Sequence, residues 1–234
     1  MSTIALPTRL LAADFARDRI ALLSFWLLAA LLFCALAAPW LAPQNPYDLA
    51  QLDILDAKLA PGVKSSAGST YWLGTDDQGR DMLSAILYGS RVSLMIGLAA
   101  IVLSVTTGVL LGLLAGFRGG WVEAVIMRLA DIQLTVPAIL IALTLDGVAR
   151  VALPKDVHDS VAIWVLVLSI GFAYWPQFAR VTRATTLAEK NKDYVNAARI
   201  IGVPGARIAL THVLPNAWGP VLERVASALV SWTA

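Results

Sequence analysis

The chain has 234 residues, of which 58% are hydrophobic and 15% are charged, and its mean hydropathy is +0.71. Soluble domains are typically about half apolar and about a quarter charged, so this composition excludes an ordinary soluble domain and predicts an integral membrane protein. The formal charge of +2 gives no indication of nucleic-acid binding, and the single cysteine, Cys34, excludes an intrachain disulfide.

Residues 20–47 carry no charge and predict a first spanning helix over residues 20–38, preceded by a cytoplasmic segment at 1–19. Arginines before the apolar run and the small-residue sequence ALA at 35–37 would also suit a cleaved signal peptide. Because the run is longer than the apolar part of a signal peptide and other apolar segments follow, we expect this helix to be retained.

A polar loop at residues 39–90 separates the first helix from a core region at 91–234. The predicted spanning helices of the core lie near residues 92–117, 122–145, 160–179 and 217–234. The last segment is short for a complete span, so we expect the chain to be truncated. In the first of the four, Gly108, Gly112 and Gly116 recur at intervals of four, which favours close packing on another helix, although scattered glycines in an ordinary span are the alternative.

Two groups of ions need a local explanation. Arg128 and Asp131 are three residues apart near the start of the segment at 122–145, which favours a mutually screened interfacial pair. The sequence GTDDQGRD lacks the ligand alternation of a calcium loop. We therefore expect its ions to form a structural turn, paired among themselves or with lipid headgroups. These ions are Asp76, Asp77, Arg80 and Asp81.

Lysine and arginine counts near the helix ends predict the orientation. The basic regions 1–19 and 180–216, together with Arg118, alternate so that they share one side of the membrane. We predict that this side is cytoplasmic and that the loops at 39–90 and 146–159 lie outside.

The sequence at residues 193–216 predicts two short helices joined by a turn. Tyr194, Ala197, Ala198 and Ile201 are spaced as one small apolar face. Gly202 is expected to end the first helix, and Pro204 with Gly205 to form the turn. The second helix is expected at residues 206–213, ending before Pro215. From the residues alone, the segment suits either a docking site for a partner or a connector on the lipid headgroups.

The motif in this segment resembles the cytoplasmic EAA loop of ABC-transporter permeases. NAARIIG, followed by nine residues and HVLPN, reproduces the spacing of that loop. Asn196 replaces the usual glutamate, and His212 replaces the usual isoleucine. His212 together with Asn216 is similar to the dipeptide/oligopeptide/nickel branch of these importers.

Other passages resemble the second, C-type permease of the same branch, and the resemblance covers essentially residues 15–220. These passages are LGTDDQGRDMLSAILYGSRVSLMIG at 73–97, GLLAGFRGGWVEAVIMRLADI at 112–132 and DYVNAARIIG at 193–202. The resemblance implies an all-α polytopic membrane protein with the type I ABC importer permease fold. Six spanning helices are expected for that fold, of which about five are present in this chain.

The resemblance implies a non-catalytic permease subunit of an ATP-driven, binding-protein-dependent importer for peptides or related small solutes. The implied partners are a homologous permease in a heterodimer, two cytoplasmic ATPases, an extracytoplasmic binding protein and membrane lipid, but no nucleic acid. ATP and Mg would be bound by the ATPases, and no cofactor, metal or catalytic residue is expected in this chain. The implied location is the inner membrane of a prokaryote, with a cytoplasmic N-terminus.

The resemblance implies a cytoplasmic coupling loop at 180–216 and places ATPase coupling in residues 193–216, called here the coupling segment. The predicted coupling residues are Tyr194, Asn196, Ala197, Ala198, Gly202, Pro204, Gly205, His212, Leu214, Pro215 and Asn216. The competing class is a secondary transporter or channel that works without ATPases, and co-purification of ATPase subunits would distinguish the two.

Overall fold

The computed structural model of the protein describes residues 18–48, 52–65, 68 and 70–232. The first 17 residues of the predicted segment 1–19 lie outside the described residues. The described part of the chain contains helices and two isolated β-bridges but no strand, in agreement with the all-α prediction. In chain order the helices are α1 (Arg19–Leu36), α2 (Ala38–Leu41), α3 (Met82–Arg118), α4 (Gly120–Leu134), α5 (Ala138–Ala152), α6 (Lys155–Glu189), α7 (Asp193–Ile200), α8 (Gly205–Ile208) and α9 (Leu214–Trp232).

The chain forms two compact units, and the boundary between them lies between Leu94 and Met95, within α3. In the first unit, the carboxylate of Asp18 caps α1 by accepting hydrogen bonds from the backbone N–H groups of Ile20 and Ala21, at 2.9 and 3.2 Å. Most apolar side chains of α1 are exposed within its unit, as expected for a helix that faces lipid.

The polar loop of the first unit is held by side-chain hydrogen bonds. The hydroxyl of Tyr71 donates to Oδ2 of Asp56 at 2.9 Å, and burial, together with this carboxylate, raises the pKa of Tyr71. Asp76 accepts from the backbone N–H groups of Gln78 and Arg80 and from the Arg80 guanidinium. Burial acts against ionisation, but these bonds lower the pKa of Asp76 below its ordinary value. The expectation that these ions pair among themselves is confirmed for Asp76 and Arg80.

Asp81 differs from this prediction because it caps α3 instead of joining the ion-paired turn. Its Oδ2 accepts hydrogen bonds from the backbone N–H and the hydroxyl of Ser84, at 2.8 and 2.6 Å. A carboxylate satisfies the unpaired N–H groups at a helix start and interacts favourably with the helix dipole. As a result, α3 begins at Met82, well before the predicted start at residue 92.

In the second unit, the glycine repeat of α3 packs against α6, as predicted from its spacing. A Cβ added at Gly112 would lie 2.8 Å from Cβ of Thr182, and one added at Gly116 would lie 2.7 Å from Cβ of Thr186. These distances are shorter than any ordinary Cβ contact, so only glycine allows this approach of the two helices.

The predicted span at 122–145 is wrong as a single helix. It consists of α4 and α5, which meet at an angle of 89° across residues 135–137. Pro137 explains the break, because proline has no N–H for the helix ladder and disfavours helical backbone at the residue before it.

Ion pairs join α4 to α6, and they differ from the sequence expectation. The predicted pairing of Arg128 with Asp131 is wrong, because Arg180 of α6 forms an ion pair with Asp131. Arg183 donates from Nε to Oε1 of Glu123 at 2.6 Å. Placing each carboxylate against a guanidinium on the facing helix reduces the cost of charge near lipid.

Three helices among the described residues are long and apolar enough to cross a membrane: α1, α3 and the part of α6 from Val161 onward. The bent pair α4 and α5 would make a fourth. The segment predicted at 217–234 forms most of α9, which falls outside this set, so a fifth span stays a prediction. The helix α6 continues to Glu189, beyond the predicted end at 179, because no breaker follows Pro176 until the chain turns at residue 190.

Candidate functional site

The coupling segment begins with α7, whose end is defined by a glycine turn. Gly202 has a φ of +83° and follows the last turn of the helix. The backbone N–H of Val203 donates to the carbonyl of Ala198 at 3.1 Å, and the backbone N–H of Gly202 donates to the carbonyl of Arg199 at 3.0 Å. These bonds satisfy carbonyl groups at the helix end, and glycine adopts the required left-handed conformation without steric cost.

One face of α7 is anchored in an apolar cluster. The predicted apolar face is divided in the structure: Ala198 is buried together with Val195, whereas Ala197 and Ile201 are exposed. Sequence reasoning missed Val195, although its spacing of three from Ala198 was a usable signal. The buried members of the cluster are Leu113, Val195, Ala198, Ile208, Ala209 and Val213, with Phe117, Tyr194, Val203 and Leu214 packed against them.

The opposite face of α7 presents apolar side chains to the exterior. Ile200 is 85% exposed and Ile201 is 78% exposed, next to exposed Ala197. Asn196, also exposed, accepts a hydrogen bond from Arg199 at 3.2 Å. This surface, called here the exposed tip, consists of Asn196, Ala197, Arg199, Ile200 and Ile201. Sequence reasoning included Ala197 and Ile201 in the apolar face but did not single out Ile200.

Polar groups from four helical elements meet beside α7, in a cluster called here the polar joint: Glu189, Tyr194, His212 and Asn216. The Tyr194 hydroxyl donates to Oε2 of Glu189 at 2.7 Å, and Nδ2 of Asn216 donates to the Tyr194 oxygen at 3.1 Å. Nδ2 of Asn216 also donates to the carbonyl of His212 at 2.8 Å. Burial, then the hydrogen bond to Glu189, raises the pKa of Tyr194, so its phenol stays protonated at neutral pH.

The structure thus brings the Tyr194 hydroxyl, the backbone carbonyl of His212 and the side-chain amide of exposed Asn216 together, in contacts that do not include the exposed tip. Glu189 was not predicted, because the turn at residues 190–192 separates it from Tyr194 and helical spacing does not extend across a turn. Lys192 donates to Oε1 of Glu189 at 2.6 Å, which gives this mostly buried carboxylate a cationic partner.

The structure differs from the prediction of a second helix at residues 206–213, because the helical backbone does not end before Pro215. Helix α8 is followed by a π-helical turn at Ala209–Val213, which runs directly into α9. Pro215 therefore lies at the second position of α9, directly after the π-helical turn. Gly205 lies against the ring of Phe117, where an added Cβ would be 3.3 Å from Cε1.

Among the described residues, no group of three or more His, Cys, Asp and Glu side chains is arranged to hold a metal ion. The segment contains packed apolar residues, a polar joint and an exposed tip. This arrangement suits the binding of another protein.

Two sequence profiles match the chain. One, described as the binding-protein-dependent transport system inner membrane component, matches residues 108–232. The other, described as the N-terminal TM domain of oligopeptide transport permease C, matches residues 7–61. The first match includes the whole coupling segment.

Individual relatives agree with the profiles. The chain is 37% identical to the di/tripeptide transport system permease protein DppC of Pseudomonas aeruginosa, over 89% of its length and 65% of the relative's. It is 38% identical to the dipeptide transport system permease protein DppC of Escherichia coli strain K12, with the same two coverages. It is 32% identical to the oligopeptide transport system permease protein OppC of Bacillus subtilis, over 89% of the chain and 62% of the relative.

The chain therefore spans slightly less than two thirds of the length of these relatives. The first profile confirms the predicted fold class, the helical type I ABC importer permease fold. Because that profile matches more than half of the chain, this protein belongs to the family of binding-protein-dependent transport system inner membrane components.

Proposed function

We propose that this chain is a C-type permease subunit of an ATP-driven importer that takes up peptides or related small solutes. Relatives that carry peptide-transport names support the substrate class. In this proposal a homologous permease completes the translocation pathway, two ATPases bind on the cytoplasmic side, and an extracytoplasmic binding protein delivers substrate. The location is the inner membrane of a prokaryote, with the N-terminus in the cytoplasm.

The exposed tip of the anchored coupling segment is the observation that supports this proposal most directly. Isoleucine side chains that are 85% and 78% exposed at the end of a two-turn helix are costly in water. A protein surface that covers them would gain the free energy of burying their apolar area. Because the other face of α7 is packed into the molecule, such a partner would be held against a firm support.

The mechanism that we propose is alternating access driven by partner subunits. ATP and Mg bind to the ATPases, and nucleotide binding changes the distance between these two subunits. The coupling segment, seated on one ATPase, carries this movement into the spanning helices. The nucleotide thereby shifts a two-state equilibrium of the helix bundle through its different contacts in each state.

Replacing an apolar residue of the exposed tip with a charged one tests the proposal. We expect Ile200→Asp to reduce the amount of ATPase that co-purifies with the transporter at least about tenfold, as for a central interface residue. Ile54→Asp is the matched control, because Ile54 is 81% exposed but lies in the loop predicted to be extracytoplasmic. Retention of ATPase by Ile200→Asp at the control level would contradict docking at the tip. Purification without any ATPase, with uptake driven by an ion gradient alone, would support a secondary transporter instead.

A further inference from the structure

We propose that the polar joint makes α6, α7 and α9 move as one body, with the Tyr194 hydroxyl as the positioning group that links them. The inference rests on the proposed function, since it concerns how movement of the coupling segment reaches the spanning helices. It adds a set of internal contacts, distinct from the exposed tip, on which transmission depends.

The hydrogen bonds of the joint form a directional chain. A phenol has one hydrogen to donate, and the Glu189 oxygen at 2.7 Å is a much better acceptor than the His212 carbonyl at 3.4 Å. The Tyr194 oxygen in turn accepts from Asn216 at 3.1 Å. The chain therefore runs from Asn216 in α9 through Tyr194 in α7 to Glu189 at the end of α6. Hydrogen bonds arranged in this way polarise one another, and the terminal bond to a carboxylate is charge-assisted.

The second amide hydrogen of Asn216 extends the joint to the π-helical turn. It donates to the His212 carbonyl at 2.8 Å. A π-helical turn is wider than an α-helical turn and commonly marks a functional position. Here it lies between α8 and α9, and the side-chain bond from Asn216 braces it. A movement of α7 is therefore not absorbed at this turn as long as the joint is intact.

The end of α6 is fixed by two further contacts, which give the joint a firm base. Nζ of Lys190 donates to the carbonyl of Gly116 in α3 at 2.7 Å, and Lys192 pairs with Glu189. Glu189 is only 9% exposed, so loss of the Tyr194 hydroxyl would leave a mostly buried carboxylate oxygen without that donor. Asn196, at the position of the usual glutamate, is exposed and takes no part in the joint. The acidic group that holds the segment from within is Glu189.

The test measures the distance between α7 and α9 in the intact transporter with its ATPases. Spin labels at Asp193→Cys and Leu222→Cys, both at exposed positions, are compared without nucleotide and with ATP and vanadate, after all other cysteines are replaced by serine. In the otherwise unaltered chain we expect a narrow distance distribution that is the same in both states. With Tyr194→Phe we expect the distribution in the ATP state to become at least about twofold wider, as for a locally opened contact.

Tyr88→Phe is the matched control, because it removes a phenol hydroxyl from a position outside the joint where the ring contacts Tyr47. It should leave the distribution unchanged. If Tyr194→Phe prevents recovery of the complex, Asn216→Leu at an exposed position breaks the same chain and should widen the distribution in the same direction.

An unchanged width of the distance distribution in Tyr194→Phe or in Asn216→Leu would overturn the inference. A distance between α7 and α9 that differs between the two nucleotide states of the otherwise unaltered chain would also overturn it. A complex that contains no ATPase, or that does not respond to ATP, would instead contradict the proposed function. In that case the width of the distance distribution without nucleotide, compared between Tyr194→Phe and the otherwise unaltered chain, would still test the polar joint.

Discussion

Gly202 is required for its backbone conformation and not for lack of space. Its φ is +83°, and no heavy atom lies within 4 Å of the position that a Cβ would occupy. The left-handed conformation is costly for any residue with a side chain, whereas glycine adopts it freely. The glycine position was predictable from the sequence because a helix end of this kind depends on local backbone geometry alone.

Gly202→Ala should destabilise the folded transporter by about 1 kcal/mol, because alanine must adopt the left-handed conformation. We expect a lower midpoint of thermal unfolding, measured by tryptophan fluorescence. Gly147→Ala is the control, since Gly147 lies in α5 with equally open surroundings and a helical φ. That substitution should leave the midpoint unchanged or raise it. Equal midpoints for Gly202→Ala and the unaltered chain would show that the turn conformation is not limiting.

At the level of elements, the contact of α3 with α6 depends on small residues. The spacing of Gly108, Gly112 and Gly116 predicted a close helix contact, but α6 as the partner became known only from the fold. The buried threonines Thr182 and Thr186 face two of these glycines. A glycine repeat identifies the contacting face of a helix, whereas the partner depends on the path of the chain.

Gly112→Leu should separate α3 from α6, because an added Cβ would lie 2.8 Å from Cβ of Thr182 and 3.0 Å from Cα of Ala179. Overpacking of this kind typically costs about 1–3 kcal/mol. We expect a lower yield of folded protein and a lower thermal midpoint. Gly89→Leu is the matched control in the same helix, because no heavy atom lies near its Cβ position. A midpoint for Gly112→Leu equal to that of Gly89→Leu would contradict close packing at this site.

At the level of the whole molecule, the charge distribution predicts the orientation in the membrane. The basic regions predicted to be cytoplasmic include Arg118 and the coupling segment with Arg199 and Arg207. Positive charge near helix ends favours the cytoplasmic side during insertion. The same prediction puts the loop with Lys64 outside.

Cysteine labelling of intact cells tests this orientation in a Cys34→Ser background. We expect Lys64→Cys to react with a membrane-impermeant maleimide from outside and Arg207→Cys to react only after the cells are opened. Both positions are exposed, so burial would not explain a difference between them. The reverse pattern would show that the coupling segment faces away from the cytoplasm and would exclude ATPase docking there.

The sequence alone determined the membrane class, the glycine contact face and the turn at Gly202. These features depend on composition, on helical spacing or on the backbone preference of one residue, all of which are local. Tertiary structure decided the partners of polar groups. Asp131 pairs with Arg180 and not with its near neighbour Arg128, and Tyr194 turns inward to Glu189 and Asn216. The physical reason is that ion pairs and hydrogen bonds are selected by distance in space, and 49 positions along the chain separate Asp131 from its partner.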